Sequence, residues 1–173
     1  MRFHIIGTAH ELQKASNPDT SVRDLLQECI NVRNVALIAE EAEQKVLTFG
    51  QELIGADNWL SIDMPAEEQK KSGIYQTLND RADRELGFDG YYRVTPYLYS
   101  SDGQRENFWL DRIEGRCREK GFANDVTVLI TCGLQHAPFL AEKAFLRGHT
   151  VSWEECFPGN KKAQYGVFRI DKD

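Results

Sequence analysis

Two histidines in this chain stand at the same distance behind a glycine, and an apolar run precedes each glycine. "RFHIIGTAHEL" carries Gly7 and His10, and "VTVLITCGLQHAPF" carries Gly133 and His136. Charged groups stand at comparable places elsewhere. Glu40 and Glu41 end the apolar run "VALIAEE", Asp63 ends "WLSIDM", and Arg105 precedes Glu106 in "RENFWLDRI". Two imidazoles with a carboxylate suit two kinds of work. Neutral imidazoles and a carboxylate can hold a divalent ion that activates a water. Alternatively, one imidazole takes a proton from water while a carboxylate fixes its tautomer. Both routes are hydrolytic.

The spacing also permits a plainer account, in which His10 and His136 are helix-entry residues with satisfied hydrogen bonds. A strand-ending glutamate can likewise cap the next helix, since anions are favoured at helix N-termini. Asp63, just ahead of Met64 and Pro65, is read as a helix-entry residue. Side chains alternate along a strand, so only one of Glu40 and Glu41 can face a site. Arg105 does not suit a helix N-terminus. Its place is explained by pairing with a carboxylate at a sheet edge or by binding an oxyanion. His4, inside the first apolar run, and His149, behind Gly148, are read as structural.

These residues need elements to position them. Strands are expected at residues 2–6, 35–41, 59–64, 125–133 and 149–157, with an edge strand at 163–170. Asp19, Thr20 or Ser21 is expected to cap a helix whose apolar face carries Val22, Leu25, Leu26, Cys29 and Ile30. Further helices are expected over 42–56, 66–87, 101–122 and 137–148. The third of these has a Phe108, Trp109, Ile113 and Cys117 stripe and is stopped by Gly121. The aromatic stretch 87–103 is expected to be an ordered loop, available as a pocket wall. Apolar strands alternating with helices define an α/β fold: a mainly parallel sheet of about 4–6 strands with helices on both faces. The whole chain, 1–173, is taken as one domain. In such sheets ligands bind beyond the carboxyl ends of the strands. His10, Glu40 or Glu41, Asp63 and His136 all fall at those ends. The two glycines are expected to let the chain turn sharply off its strands.

Bulk properties narrow the partners. The 173 residues are 41% hydrophobic and 28% charged, with a net charge of -6 and a pI near 5.3. Without a basic cluster, neither nucleic acid nor an anionic membrane is an expected partner. No apolar stretch approaches the roughly 20 residues a bilayer-spanning helix needs, and no secretory signal is evident at the N-terminus. The expected location is cytoplasmic and the expected partner a small molecule or peptide. Cys29, Cys117, Cys132 and Cys156 form no CxxC pair, so they are expected to be reduced thiols rather than a disulfide framework.

"GTAH" (7–10), "ALIAEE" (36–41), "RENFWLDRI" (105–113) and "TCGLQH" (131–136) resemble, in order, the motifs of the Tiki/TraB superfamily. That group also contains the erythromycin esterases and ChaN-like haem-uptake proteins. The ending "LAEKAFLRGHTVSW" is similar to its last helix and strand. The resemblance implies a parallel α/β sheet with its site along one edge. In the Tiki branch it implies a metal-dependent peptidase, and in the esterase branch histidine-based hydrolysis without metal. It makes His10 and His136 the catalytic or metal-binding histidines, Glu40 or Glu41 the acid, and Arg105 the arginine. As metal ligands it implies His10, His136 and Glu41, for manganese, cobalt or zinc. The chain departs from the family in its shorter length and in Arg-Glu-Asn-Phe-Trp-Leu, where the family has Arg-Asp-x-x-Met-Ala. The expected function is a small hydrolase of peptide, ester or amide bonds. The alternatives are a non-catalytic ligand-, metal- or haem-binding protein of the same fold, and an inactive relative acting through protein contacts.

Overall fold

A computed structural model describes residues 1–72 and 96–163; for 96–102 and 160–163 it describes the backbone alone. Six strands form one sheet: β1 (Arg2–Thr8), β2 (Val35–Glu40), β3 (Trp59–Ser61), β4 (Thr127–Gly133), β5 (Thr150–Phe157) and β6 (Lys161–Ala163). Their order is β3-β2-β4-β1-β5-β6. The first five are parallel, and β6 joins β5 antiparallel at the edge. The parallel α/β class read from the apolar runs is the fold found.

Apolar side chains on both strand faces require a layer on each. On one face lie α1 (Ser21–Val32) and α2 (Phe49–Ile54). Val22, Leu25, Leu26, Cys29 and Phe49 pack there against Ile6, Ile38 and Leu129. On the other face lie α4 (Pro96–Glu119) and α5 (Ala137–Leu146), while the short α3 (Ala66–Lys71) follows β3. Trp109, Leu110, Ile113, Leu140 and Ala144 pack there against Phe3, Ile5, Leu37 and Ile130. Single-residue alternation is visible in this division: Ile5 and Ile6, or Leu129 and Ile130, belong to opposite cores.

Topology singles out one point of the sheet. β1 and β4 are neighbours, with Gly7 opposite Cys132 and Thr8 opposite Gly133. The chain leaves β1 toward α1 on one face and leaves β4 toward α5 on the other. That is where connections diverge, and open α/β sheets form a crevice at such a point. The two Gly-x-x-His segments are the exits from these two strands.

Several expected elements differ in extent. Residues 42–48 are not helical; α2 begins after Thr48, whose hydroxyl accepts from the Gln51 N–H at 3.2 Å. Arg105 does not open its helix, because α4 starts at Pro96. Proline is favoured in the first helical turn, where its missing N–H is not needed. Residues 96–103 are therefore helix rather than loop, whereas the rest of the aromatic stretch, 87–95, lies outside the described residues. So do 73–87 of the expected polar helices and 164–170 of the expected edge strand. Gly121 (φ +64°) and Gly148 (φ +88°) end α4 and α5 as expected.

The glycines of the paired motifs do not serve a sharp turn. Neither adopts positive φ. Gly7 lies within β1, and a Cβ on it would stand 2.9 Å from the Ala137 Cβ and 3.4 Å from the Leu134 Cα. Its bare backbone admits the entry of α5 onto the sheet. Gly7→Ala is therefore expected to destabilise the fold by about 1–3 kcal/mol, as overpacked cores do. Urea unfolding measures this, and an unchanged midpoint would mean that α5 can withdraw freely.

Candidate functional site

Glu41 follows β2 and is buried, with its side chain 3% exposed. Its N–H extends the strand ladder to the Thr131 carbonyl at 2.9 Å. Its Oε2 accepts from the Gly133 N–H at 2.8 Å, and its Oε1 from Arg105 Nη2 at 2.5 Å. His10 Nε2 lies 3.8 Å from Oε2, and His136 Nε2 lies 3.9 Å from Oε1. Four separate segments thus meet around one carboxylate beyond the ends of β1, β2 and β4. Gly133 lies at the centre, where a Cβ would make ordinary contact with His10 Nε2 at 3.4 Å, His136 Cδ2 at 3.5 Å and Glu41 Oε2 at 3.6 Å.

The two histidines differ in setting. His10 begins the short helical turn His10–Gln13 and is exposed, its side chain at 56%. His136 precedes α5 and is buried, its ring packed edge-on against Trp109 with centroids 4.9 Å apart. His136 Nδ1 lies 3.0 Å from Glu106 Oε1, and Lys143 donates to the other Glu106 oxygen. A carboxylate only accepts, so this contact assigns the ring proton to Nδ1. Nε2 then faces Arg105 Nη1 at 3.4 Å as an acceptor. The Arg105 guanidinium also lies 5.2 Å from the centre of the Trp109 ring, within cation–π range. Pairing with a sheet-edge carboxylate, one of the explanations for Arg105, is what the side chain does.

Glu40 does not join this group. It is fully buried on the opposite face, where Trp59 Nε1 donates to its Oε2 at 2.6 Å and Thr48 donates to the same oxygen. Thr131 Oγ1 lies 3.1 Å from Oε1 and 3.3 Å from Gln13 Oε1. Alternation at the strand end sends one glutamate to each face. Burial raises the Glu40 carboxyl above its ordinary value of 4.5, against the opposing effect of its three side-chain donors. The single Thr131 hydroxyl proton serves these two acceptors in turn. The folded value lies above the ordinary one, so the stability tied to the protonated carboxyl is fully present below pH 4.5 and is lost as pH rises through the folded value. Glu40→Gln is expected to be more stable than wild type at neutral pH, with the gain shrinking as pH falls toward 4.5 and absent below it. Thermal unfolding across pH tests this, and a gain independent of pH would contradict it.

Glu106, Lys143 and Asp63 complete the surroundings. Glu106 is a buried carboxylate one turn before Trp109 on the apolar stripe of α4. That anomaly was visible in the sequence as a charge in a buried stripe. Lys143 carried no such signal. Asp63 Oδ1 lies 3.5 Å from Arg105 Nη2. Burial raises the Asp63 carboxyl, Arg105 opposes this, and the charge of Glu41 adds to it.

A divalent ion on His10, His136 and Glu41 would have to compete with Arg105 for two of its ligand atoms. The two histidines approach different Glu41 oxygens. Arg105, a cation carried on a helix, engages both Glu41 Oε1 and His136 Nε2, two of the atoms the ion would need. Among the described residues, three donor atoms within 4.8 Å of one another occur instead at His4, Cys29 and Glu154. All four cysteines are free thiols and buried. No helix among the described residues is long and apolar enough to cross a membrane.

No family model, no curated protein and no solved structure matches the chain.

Proposed function

We propose that this protein is a metal-independent hydrolase of the Tiki/TraB-like kind, closer in chemistry to its esterase branch than to its metallopeptidase branch. The observation that carries this reading is the meeting of His10, His136 and Arg105 around the Glu41 carboxylate at the topological switch point of a parallel sheet. His10 is the general base. With Nε2–H directed at Glu41, its Nδ1 takes the proton from an attacking water. The 3.8 Å contact is loose, as catalytic contacts without substrate often are. Arg105 is placed to hold an anionic substrate group or the developing oxyanion. Glu106 and Lys143 position His136 beneath it.

The test is a panel of ester, amide and peptide substrates, assayed with and without a chelator. The expected result is turnover that survives chelation and falls by at least about 100-fold in His10→Asn, the scale of a lost general base. His10 is exposed, so this variant should fold as wild type does. Turnover on none of the three bond classes, or equal turnover in His10→Asn, would overturn the reading.

A further inference from the structure

We propose that His4, Cys29 and Glu154 form a zinc-binding site separate from the Glu41 cluster. No local pattern announces it, because the three residues belong to β1, α1 and β5 and share no motif. The register of the sheet assembles them. His4 stands opposite Ser152 and Ile6 opposite Glu154, so Ser152, His4 and Glu154 share the face that α1 covers. Cys29, on the buried side of α1, comes down onto them. Nε2 or Nδ1 of His4, the Cys29 sulfur and a Glu154 oxygen all lie within 4.8 Å of one another.

The chemistry of the set favours zinc. One imidazole, one thiolate and one carboxylate are a mixed soft and hard donor set that Zn²⁺ accepts in tetrahedral geometry. The two anions balance the charge of the ion, which matters at a place where His4 and Cys29 are both buried. Glu154 is only partly buried, which provides an approach for the ion and for a water as fourth ligand. The imidazole already has an orienting partner. His4 Nε2 lies 2.7 Å from Glu154 Oε1 and Nδ1 lies 2.7 Å from Ser152 Oγ. In the bound state Nδ1–H donates to Ser152 and the Nε2 lone pair goes to the ion, the outer-shell arrangement that zinc-bound histidines use. Cys29 loses its thiol proton to solvent on binding. Burial, followed by the charge of Glu154, raises that thiol to about 11, while Arg33 donates to its sulfur and opposes the rise. A coordinated thiolate retains lone pairs, so Arg33, exposed at the end of α1, can keep that contact.

The test is titration of the purified, reduced and metal-free chain with Zn²⁺ and, separately, Co²⁺. Wild type is expected to bind one ion per chain. With Co²⁺ it should show tetrahedral visible bands and a sulfur-to-cobalt charge-transfer band. Zn²⁺ should raise the melting temperature. Cys29→Ser should lose the charge-transfer band, and Glu154→Gln should weaken binding by at least about 10-fold. His10→Ala/His136→Ala should bind as wild type does, which separates this site from the proposed hydrolytic centre. Glu154 is partly exposed, so its variant supplies the answer even if Cys29→Ser fails to fold. Absence of Zn²⁺ and Co²⁺ binding in wild type, binding without the sulfur band, or binding lost in the His10/His136 variant would each overturn the proposal.

Discussion

Arg105→Met should destabilise the fold by about 3–5 kcal/mol, the range found when one member of a buried ion pair is removed. Methionine keeps most of the aliphatic volume but deletes the charge. Glu41, 3% exposed, is then left with the Gly133 N–H and two distant imidazoles in place of a guanidinium at 2.5 Å. Glu41→Gln should cost less, because Arg105 is 20% exposed and retains Asp63 at 3.5 Å. The double variant should recover much of the loss, since neither charge is then buried alone. Urea unfolding of the four proteins gives the coupling directly. A coupling within about 0.5 kcal/mol of zero, the level of independent sites, would show that the pair does not hold this end of the sheet together.

Trp109→Ala is expected to cost about 3–5 kcal/mol, as large-to-small changes of buried aromatics do. The side chain is fully buried between α4 and the sheet. It also supports the candidate site, with His136 against its edge and Arg105 near its face. Its indole nitrogen makes no hydrogen bond among the described residues. Trp109→Phe therefore gives up area but strands no polar partner, and should cost clearly less than the alanine change. Thermal unfolding ranks the two. Equal losses would mean that the packing around the ring, rather than its area, sets the stability. With a substrate in hand, the alanine variant should also lose activity more steeply than stability, because His136 would no longer be held.

The candidate cluster was partly legible because strand ends are visible in sequence. "VTVLITC" announces β4 by its unbroken apolar run, and His136 falls just beyond it. The same holds for His10 after β1. Helix extents were harder to read. The 42–56 segment has helical composition, but Thr48 caps only its last part, and residue 42 onward is used to leave β2. For α4, the glycines and Pro96 of the 87–103 stretch suggested a break, whereas Pro96 is where the helix starts. The 3.6-residue stripe that located Trp109, Ile113 and Cys117 is a local property and survived intact.

By itself, then, the sequence determined the alternation of apolar strands and helices, hence a parallel sheet with covered faces, and which segments end at one edge of it. These follow from local periodicity. Only the tertiary structure decided which residues meet there. It turned Glu41 toward the histidines and Glu40 into the opposite core, a choice fixed by strand register. It assigned Gly7 to close approach rather than to turning, a matter of what lies above it. It placed Arg105 where a metal ion was expected, and brought His4, Cys29 and Glu154 together across β1, α1 and β5. Contacts between residues far apart in the chain depend on packing angles and register, and no local pattern encodes them.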